Sequence, residues 1–211
     1  MTVLLALLFY PGCWYEVLVR SEIISNMILL IGVLWLAERT PSTSRNSVLV
    51  FLGVLLGIVV STRAVVVLPL IIYSRLFLVR HGMKRTMIVL LIAAIAFTGL
   101  LLPLYVWMPG DFMAYNPLLK QSSFIPMWLL AVVVMIAIAL AIRTQTLDAF
   151  YRYSGAVLFA TVCVAFVLSC VRIGWYESII DHGFDLAYFT IPIPFLVIGL
   201  YERTAGKERV A

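Results

Sequence analysis

The sequence predicts an all-α fold, a polytopic transmembrane helical bundle of about eight membrane segments. Of the 211 residues, 64% are hydrophobic and only 12% are charged, whereas soluble domains are about 45–50% apolar and about 25% charged. The mean hydropathy is +1.11. The apolar residues also come in long blocks separated by short charged loops. Together these observations predict one integral membrane domain over residues 1–211, with a charged cytoplasmic tail at 202–211.

The first apolar block, residues 2–10, is short. As a helix it would cover roughly 14 Å, about half of a hydrocarbon core of about 30 Å. We therefore expect a partial first segment, either because Met1 is an internal start or because the chain is a fragment of a longer protein. The second helix is predicted over roughly 13–37, and a polar loop follows at 38–46.

The next block, residues 47–79, is too long for one ordinary span. Ser61-Thr62-Arg63 interrupts it near the middle, which predicts two short helices joined by a tight hairpin. The remaining spans are predicted at 86–107, 126–142, 156–171 and 187–201, with the longest polar connection at 108–125.

Basic residues in loops predict the orientation, because cytoplasmic loops of membrane proteins are rich in Lys and Arg. With the 38–46 loop cytoplasmic, eleven basic residues fall on the inner side and four on the outer side. This distribution predicts cytoplasmic termini in a multi-pass membrane protein, which we expect in a bacterial inner or plasma membrane. It also explains the net charge of +5, since no basic patch typical of nucleic-acid binding is present in the sequence.

The outer side would also gather polar groups that topology does not require. Glu16 and Arg20 stand four residues apart and share a helix face. Arg20, Arg63 and Lys120 could bind a phosphate by charge-assisted hydrogen bonds. Neighbouring carboxylates could hold sugar hydroxyls. The residue types therefore suit a lipid-linked phosphosugar.

Several motifs carry a resemblance to a known family. They are Pro11, Tyr15-Glu16, Arg20-Ser21-Glu22 and Asn26; Ser61-Thr62-Arg63; and Trp107-Met-Pro-Gly-Asp111-Phe112 with Tyr115-Asn116-Pro117 and Gln121. This pattern, over residues 9–126, resembles polytopic glycosyltransferases of the C superfamily, which use polyprenyl-phosphate sugars at the outer membrane face. The resemblance implies a substrate-binding set of Glu16, Arg20, Glu22, Arg63, Asp111, Asn116 and Lys120.

The sequence departs from that family at its beginning. The family's catalytic acid usually lies in the first outer loop, and no such loop is found here. The chain resembles the C-terminal part of such an enzyme, so no catalytic residue is assigned. The expected partners are the lipid bilayer and a lipid-linked phosphosugar donor, with a membrane protein partner as a further option, and with no cofactor and no metal.

Other interpretations stay open at this point. Glu16–Arg20 could be a plain surface ion pair, Arg63 could extend to the lipid headgroups, and Lys120 could be an exposed loop residue. A solvated loop is favoured over a metal site at Glu177–Asp185, since only one His is present. The same outer arginines would serve a transporter or flippase for an anionic lipid-linked substrate. A non-catalytic partner subunit would fit the missing acid.

Overall fold

The structure, a computed structural model, describes residues 22–42, 44–62, 64–110, 112, 125–179 and 186–208, with the backbone alone at 22–25, 64, 186–187 and 202–208. These residues form eight α-helices and two 3-10 helices, and no β-strand occurs among them. The predicted all-α fold is confirmed for this part of the chain. In chain order the α-helices are α1 (Glu22–Arg39), α2 (Asn46–Thr62), α3 (Val67–His81), α4 (Met83–Trp107), α5 (Met127–Arg143), α6 (Leu147–Ile173), α7 (Trp175–Ile179) and α8 (Ile193–Glu208).

Two of these helices are long and apolar enough to cross a membrane, judged by length and composition. They are α4, with 25 residues, and α6, with 27 residues. Three apolar segments are shorter, namely α2, α5 and Tyr188–Tyr201. Almost none of the apolar stretch of α4 is buried against the rest of the protein, whereas about a third of that of α6 is buried.

The helix is interrupted between α2 and α3, where the sequence predicts an interruption. α2 has 17 residues and α3 has 15, and the short 3-10 helix Ala64–Val66 lies between them. The hydroxyls of Ser61 and Thr62 donate to the carbonyls of Ile58 and Val59 at 2.7 and 2.6 Å. Such bonds satisfy carbonyls that the end of a helix leaves free. The block at 47–79 is therefore two helices, as predicted.

A single residue, Gly82, connects α3 to α4. Its backbone adopts φ 81° and ψ 165°, a region open almost only to glycine. Its N–H donates to the carbonyl of Leu78 at 2.8 Å, which closes the last turn of α3.

α2 and α4 pack with their backbones in close contact. A Cβ added at Gly53 would lie 2.8 Å from Cβ of Ile92, and one at Gly57 would lie 2.6 Å from the carbonyl oxygen of Ala93. Small residues four apart permit such an approach between apolar helices. Residue numbers rise together along this contact, so the two helices run parallel. α3 runs in the opposite direction, from the end of α2 back to the start of α4.

α6 and α8 form a second close contact. A Cβ at Gly155 would meet the backbone N of Leu196 at 2.9 Å, and one at Gly199 would meet the backbone N of Arg152 at 3.0 Å. Residue numbers here run in opposite directions, so the two helices are antiparallel. Between them and α3 lies an aromatic core of Tyr73, Phe77, Phe150, Tyr151 and Phe195.

α6 begins nine residues before the predicted span at 156–171. The connection implied between the spans at 126–142 and 156–171 is therefore only residues 144–146. The Thr146 side chain accepts a hydrogen bond from the N–H of Ala149 at 3.2 Å and caps the helix. Asp148 and Arg152 then form an ion pair one turn apart, at 2.7 Å. These polar residues extend the helix beyond its apolar part.

The last apolar segment is divided by its prolines. A 3-10 helix, Leu186–Thr190, precedes Pro192, and α8 starts at Ile193. Pro194 lies in the first turn of α8, where no intrahelical N–H bond is required. The α8 backbone continues to Glu208, so most of the segment predicted as a tail at 202–211 is helical.

The segments 38–46 and 80–85 lie at the same end of the bundle. An ion pair of 2.9 Å joins Glu38 and Arg80, and Arg85 donates a hydrogen bond to the backbone carbonyl of Ser42. We call this the basic end, since the described residues there include Arg39, Arg45, Arg80, Lys84 and Arg85. The charge count along the sequence predicts this shared position.

Candidate functional site

A polar group that joins two helices is centred on Glu38, in the last turn of α1. Its Oε1 accepts a hydrogen bond of 2.8 Å from the Tyr73 hydroxyl. Its Oε2 accepts one of 2.9 Å from Nη1 of Arg80. The Tyr73 residue is 6% exposed, whereas the Arg80 side chain is 42% exposed. One carboxylate thus joins a buried phenol and a half-exposed guanidinium.

Helical spacing explains why α3 supplies both donors. Tyr73, Phe77 and Arg80 stand at positions i, i+4 and i+7, so they share one face of the helix. Tyr73 packs edge-on against Phe150 of α6, with ring centroids 5.3 Å apart. This contact holds the phenol in the core while its hydroxyl reaches α1.

His81, the last residue of α3, lies beside this group. Its ring stacks on Phe77 with centroids 4.2 Å apart, and it is 7% exposed. Neither ring nitrogen has a hydrogen-bond partner in the described structure. Burial, and then the Arg80 and Arg85 cations, lower the pKa of His81 below its ordinary value of 6.5, against an opposing effect of Glu38. The folded protein therefore favours a neutral imidazole.

A second polar pair, Asp148–Arg152, lies near the start of α6. Oδ2 of Asp148 accepts from Nη2 of Arg152, while Asp148 Oδ1 and Arg152 Nε are buried without a hydrogen-bond partner in the described part. The side chain of Arg152 also covers Gly199 of α8. This pair therefore lies against the contact between α6 and α8.

The residues predicted to bind substrate lie at the start of α1 or outside the described part of the chain. Glu22 is the first residue of α1, where the backbone alone is described. The other predicted residues lie outside the described part of the chain: Glu16, Arg20, Arg63, Asp111, Asn116 and Lys120. In the solvated loop predicted at Glu177–Asp185, Glu177 is exposed on α7, and Asp181, His182 and Asp185 lie outside the described residues.

The Glu38 group was missed by the sequence reasoning, although signals for it exist. The charge count already places Glu38 and Arg80 on one side, and the spacing from Tyr73 to Arg80 is two helical turns. What the sequence could not give was the pairing of α1 with α3, since 35 residues separate Glu38 from Tyr73.

The described residues contain no group of three or more His, Cys, Asp or Glu side chains able to hold a metal ion. The Glu38 carboxylate is engaged by Tyr73 and Arg80, so the group suits the joining of two helices better than proton transfer to a substrate. No known family model, no curated protein and no solved structure matches this chain.

Proposed function

We propose that this chain is a multi-pass integral membrane protein. The observation that carries the proposal is the apolar surface of α4, where Met87, Leu91, Ile95 and Val106 are 58–63% exposed. Soluble proteins rarely expose a continuous apolar surface of this extent. In a bilayer the same surface would contact lipid chains at no cost.

Two further features support this environment. α5 also exposes apolar side chains, among them Trp128, Met135 and Ile142. The glycines at 53, 57, 155 and 199 bring helix backbones together, which is how apolar helices associate where burial from water provides no driving force.

We further propose that the protein is glycosyltransferase-like and binds a lipid-linked phosphosugar at the end of the bundle opposite the basic end. The support comes from the motifs that resemble the C superfamily and from the direction of two helices. α2 and α4 run parallel, so their last residues, Thr62 and Trp107, lie toward that end. In the sequence, Arg63 and Asp111 follow closely.

The proposal concerns binding and assigns no catalytic residue. Arg20, Arg63 and Lys120 would hold the phosphate, because guanidinium and ammonium groups form strong, charge-assisted hydrogen bonds to phosphate oxygens. Glu16, Glu22, Asp111 and Asn116 would accept or donate hydrogen bonds to the sugar.

The test is photocrosslinking of a benzophenone-bearing polyprenyl-phosphate sugar to the protein in nanodiscs. Arg63→Ala should lower labelling at least tenfold (about 1.4 kcal/mol), whereas Arg143→Ala, a matched exposed arginine on α5, should leave it unchanged. Unchanged labelling of a folded Arg63→Ala protein would contradict the proposal. Sugar-transfer assays with and without a catalytic partner would separate an enzyme from a binding subunit.

A further inference from the structure

The basic end carries more positive charge than its own carboxylates neutralise. Its described side chains include five cations and one carboxylate, and that carboxylate, Glu38, pairs with Arg80. Arg39, Arg45 and Lys84 are exposed and form no ion pair within the described residues. Three cations thus face outward from one end of the bundle.

These cations belong to segments that are held together. The Glu38–Arg80 ion pair and the bond from Arg85 to the Ser42 carbonyl join the segment after α1 to the turn between α3 and α4. Thr40 is 4% exposed, and its hydroxyl donates to the carbonyl of Leu36 at 2.8 Å. These contacts place the cations of both segments at one end of the bundle.

Exposed apolar side chains lie directly beside the charges in the sequence. The Arg39 guanidinium lies 4.9 Å from the centroid of the Trp35 ring, and Trp35 is 56% exposed. Met83 and Met87, at the start of α4, are 64% and 58% exposed. Cations next to exposed apolar side chains match a ligand with an anionic head and an apolar tail.

We propose that the basic end binds the phosphate headgroups of anionic phospholipids through Arg39, Arg45 and Lys84, with the acyl chains along Trp35, Met83 and Met87. The site lies at the opposite end from the proposed phosphosugar site and does not depend on it. Cationic side chains near an anionic leaflet attract its lipids in this way. Arg80 contributes less because Glu38 already holds it.

The experiment titrates the 211-residue protein in detergent micelles with fluorescent phosphatidylglycerol, and with fluorescent phosphatidylcholine as the zwitterionic control. The triple variant Arg39→Gln/Arg45→Gln/Lys84→Gln should bind phosphatidylglycerol roughly a hundredfold more weakly, at roughly fivefold per charge. Glu38→Gln, which frees Arg80, should bind it more tightly.

Arg172→Gln is the control and should leave binding unchanged. Arg172 is exposed in the last turn of α6, at the end of the bundle opposite the basic end. Helix content by circular dichroism verifies that each variant folds. Equal binding of both lipids, or unchanged binding by a folded triple variant, would overturn the proposal. Displacement by millimolar inorganic phosphate would also overturn it, because a soluble phosphate would then be the ligand.

Discussion

The Tyr73 hydroxyl donates a 2.8 Å hydrogen bond to Glu38 across 35 residues of sequence. The same carboxylate accepts a bond of 2.9 Å from Arg80, so it joins the end of α1 to α3 in two places. The two bonds differ in environment, because Tyr73 is almost fully buried and the Arg80 side chain is 42% exposed. Hydrogen bonds and ion pairs weaken where water competes for the same groups.

Tyr73→Phe should therefore destabilise the protein more than Arg80→Gln. The phenylalanine keeps the edge-on contact with Phe150 but loses a buried bond to a carboxylate, which typically contributes about 1.5–3 kcal/mol. The exposed ion pair contributes about 0–1 kcal/mol. Unfolding in dodecyl sulfate, followed by circular dichroism, would measure both free energies.

Tyr153→Phe is the matched control, since Tyr153 is a half-buried tyrosine on α6 with no side-chain hydrogen bond among the described residues. It should unfold close to wild type. A Tyr73→Phe protein as stable as Tyr153→Phe would show that the bond to Glu38 adds nothing.

The close contact of α2 with α4 predicts a strong response to a single methyl group. In Gly57→Ala the added Cβ would lie 2.6 Å from both the Ala93 carbonyl oxygen and Cβ of Ala96. Backbone cannot move aside as a flexible side chain can, so we expect a loss of about 1–3 kcal/mol. The same unfolding titration would measure it.

Gly99→Ala on α4 is the control, because a Cβ there meets no atom within 4 Å. It should be neutral or stabilising by about 0.5–1 kcal/mol, since alanine favours helix more than glycine. Equal stability of the two variants would exclude a tight α2–α4 contact.

The sequence predicted the helical class and the break after Thr62, because apolar block length and polar interruptions are local signals. It missed the glycine contacts, although Gly53 and Gly57 stand four apart in an apolar helix, a spacing typical of membrane helix packing. It also started α6 too late, because hydropathy alone does not register the Thr146 cap and the Asp148–Arg152 pair.

The candidate site was less accessible to sequence reasoning. The pairing of Glu38 with Tyr73 depends on how α1 and α3 pack, and no local pattern encodes a contact across 35 residues. The predicted phosphosugar residues rest on motif resemblance and stay a prediction, since Arg63, Asp111 and their companions lie outside the described structure.

His81 should make stability fall in mild acid. Burial first, and then Arg80 and Arg85, lower its pKa below 6.5 in the folded protein, with Glu38 acting in the opposite direction. The unfolded chain therefore binds the proton more readily, and stability decreases as the pH falls below about 6.5 until the folded imidazole also protonates. Thermal unfolding in detergent between pH 8 and pH 5 would measure the decrease.

His81→Phe preserves stacking on Phe77 and removes the titrating group. Its unfolding midpoint should change less than that of wild type over this range. If the unfolding midpoints of both proteins fell equally from pH 8 to pH 5, groups other than His81 would cause the loss of stability.

The helix directions predict which positions are labelled from the same side of a membrane. α2 and α4 run parallel, and α3 runs in the opposite direction from the end of α2 to the start of α4. Arg45 and Lys84 therefore lie at the basic end. Trp175 follows the end of α6 that is far from the basic end. In a protein whose Cys13, Cys163 and Cys170 are replaced by Ser, Arg45→Cys and Lys84→Cys should react with a membrane-impermeant maleimide only after the cytoplasmic side is opened. Trp175→Cys should react in intact cells. Labelling of Arg45→Cys and Lys84→Cys from opposite sides would contradict both the helix directions and the inside preference of basic loops.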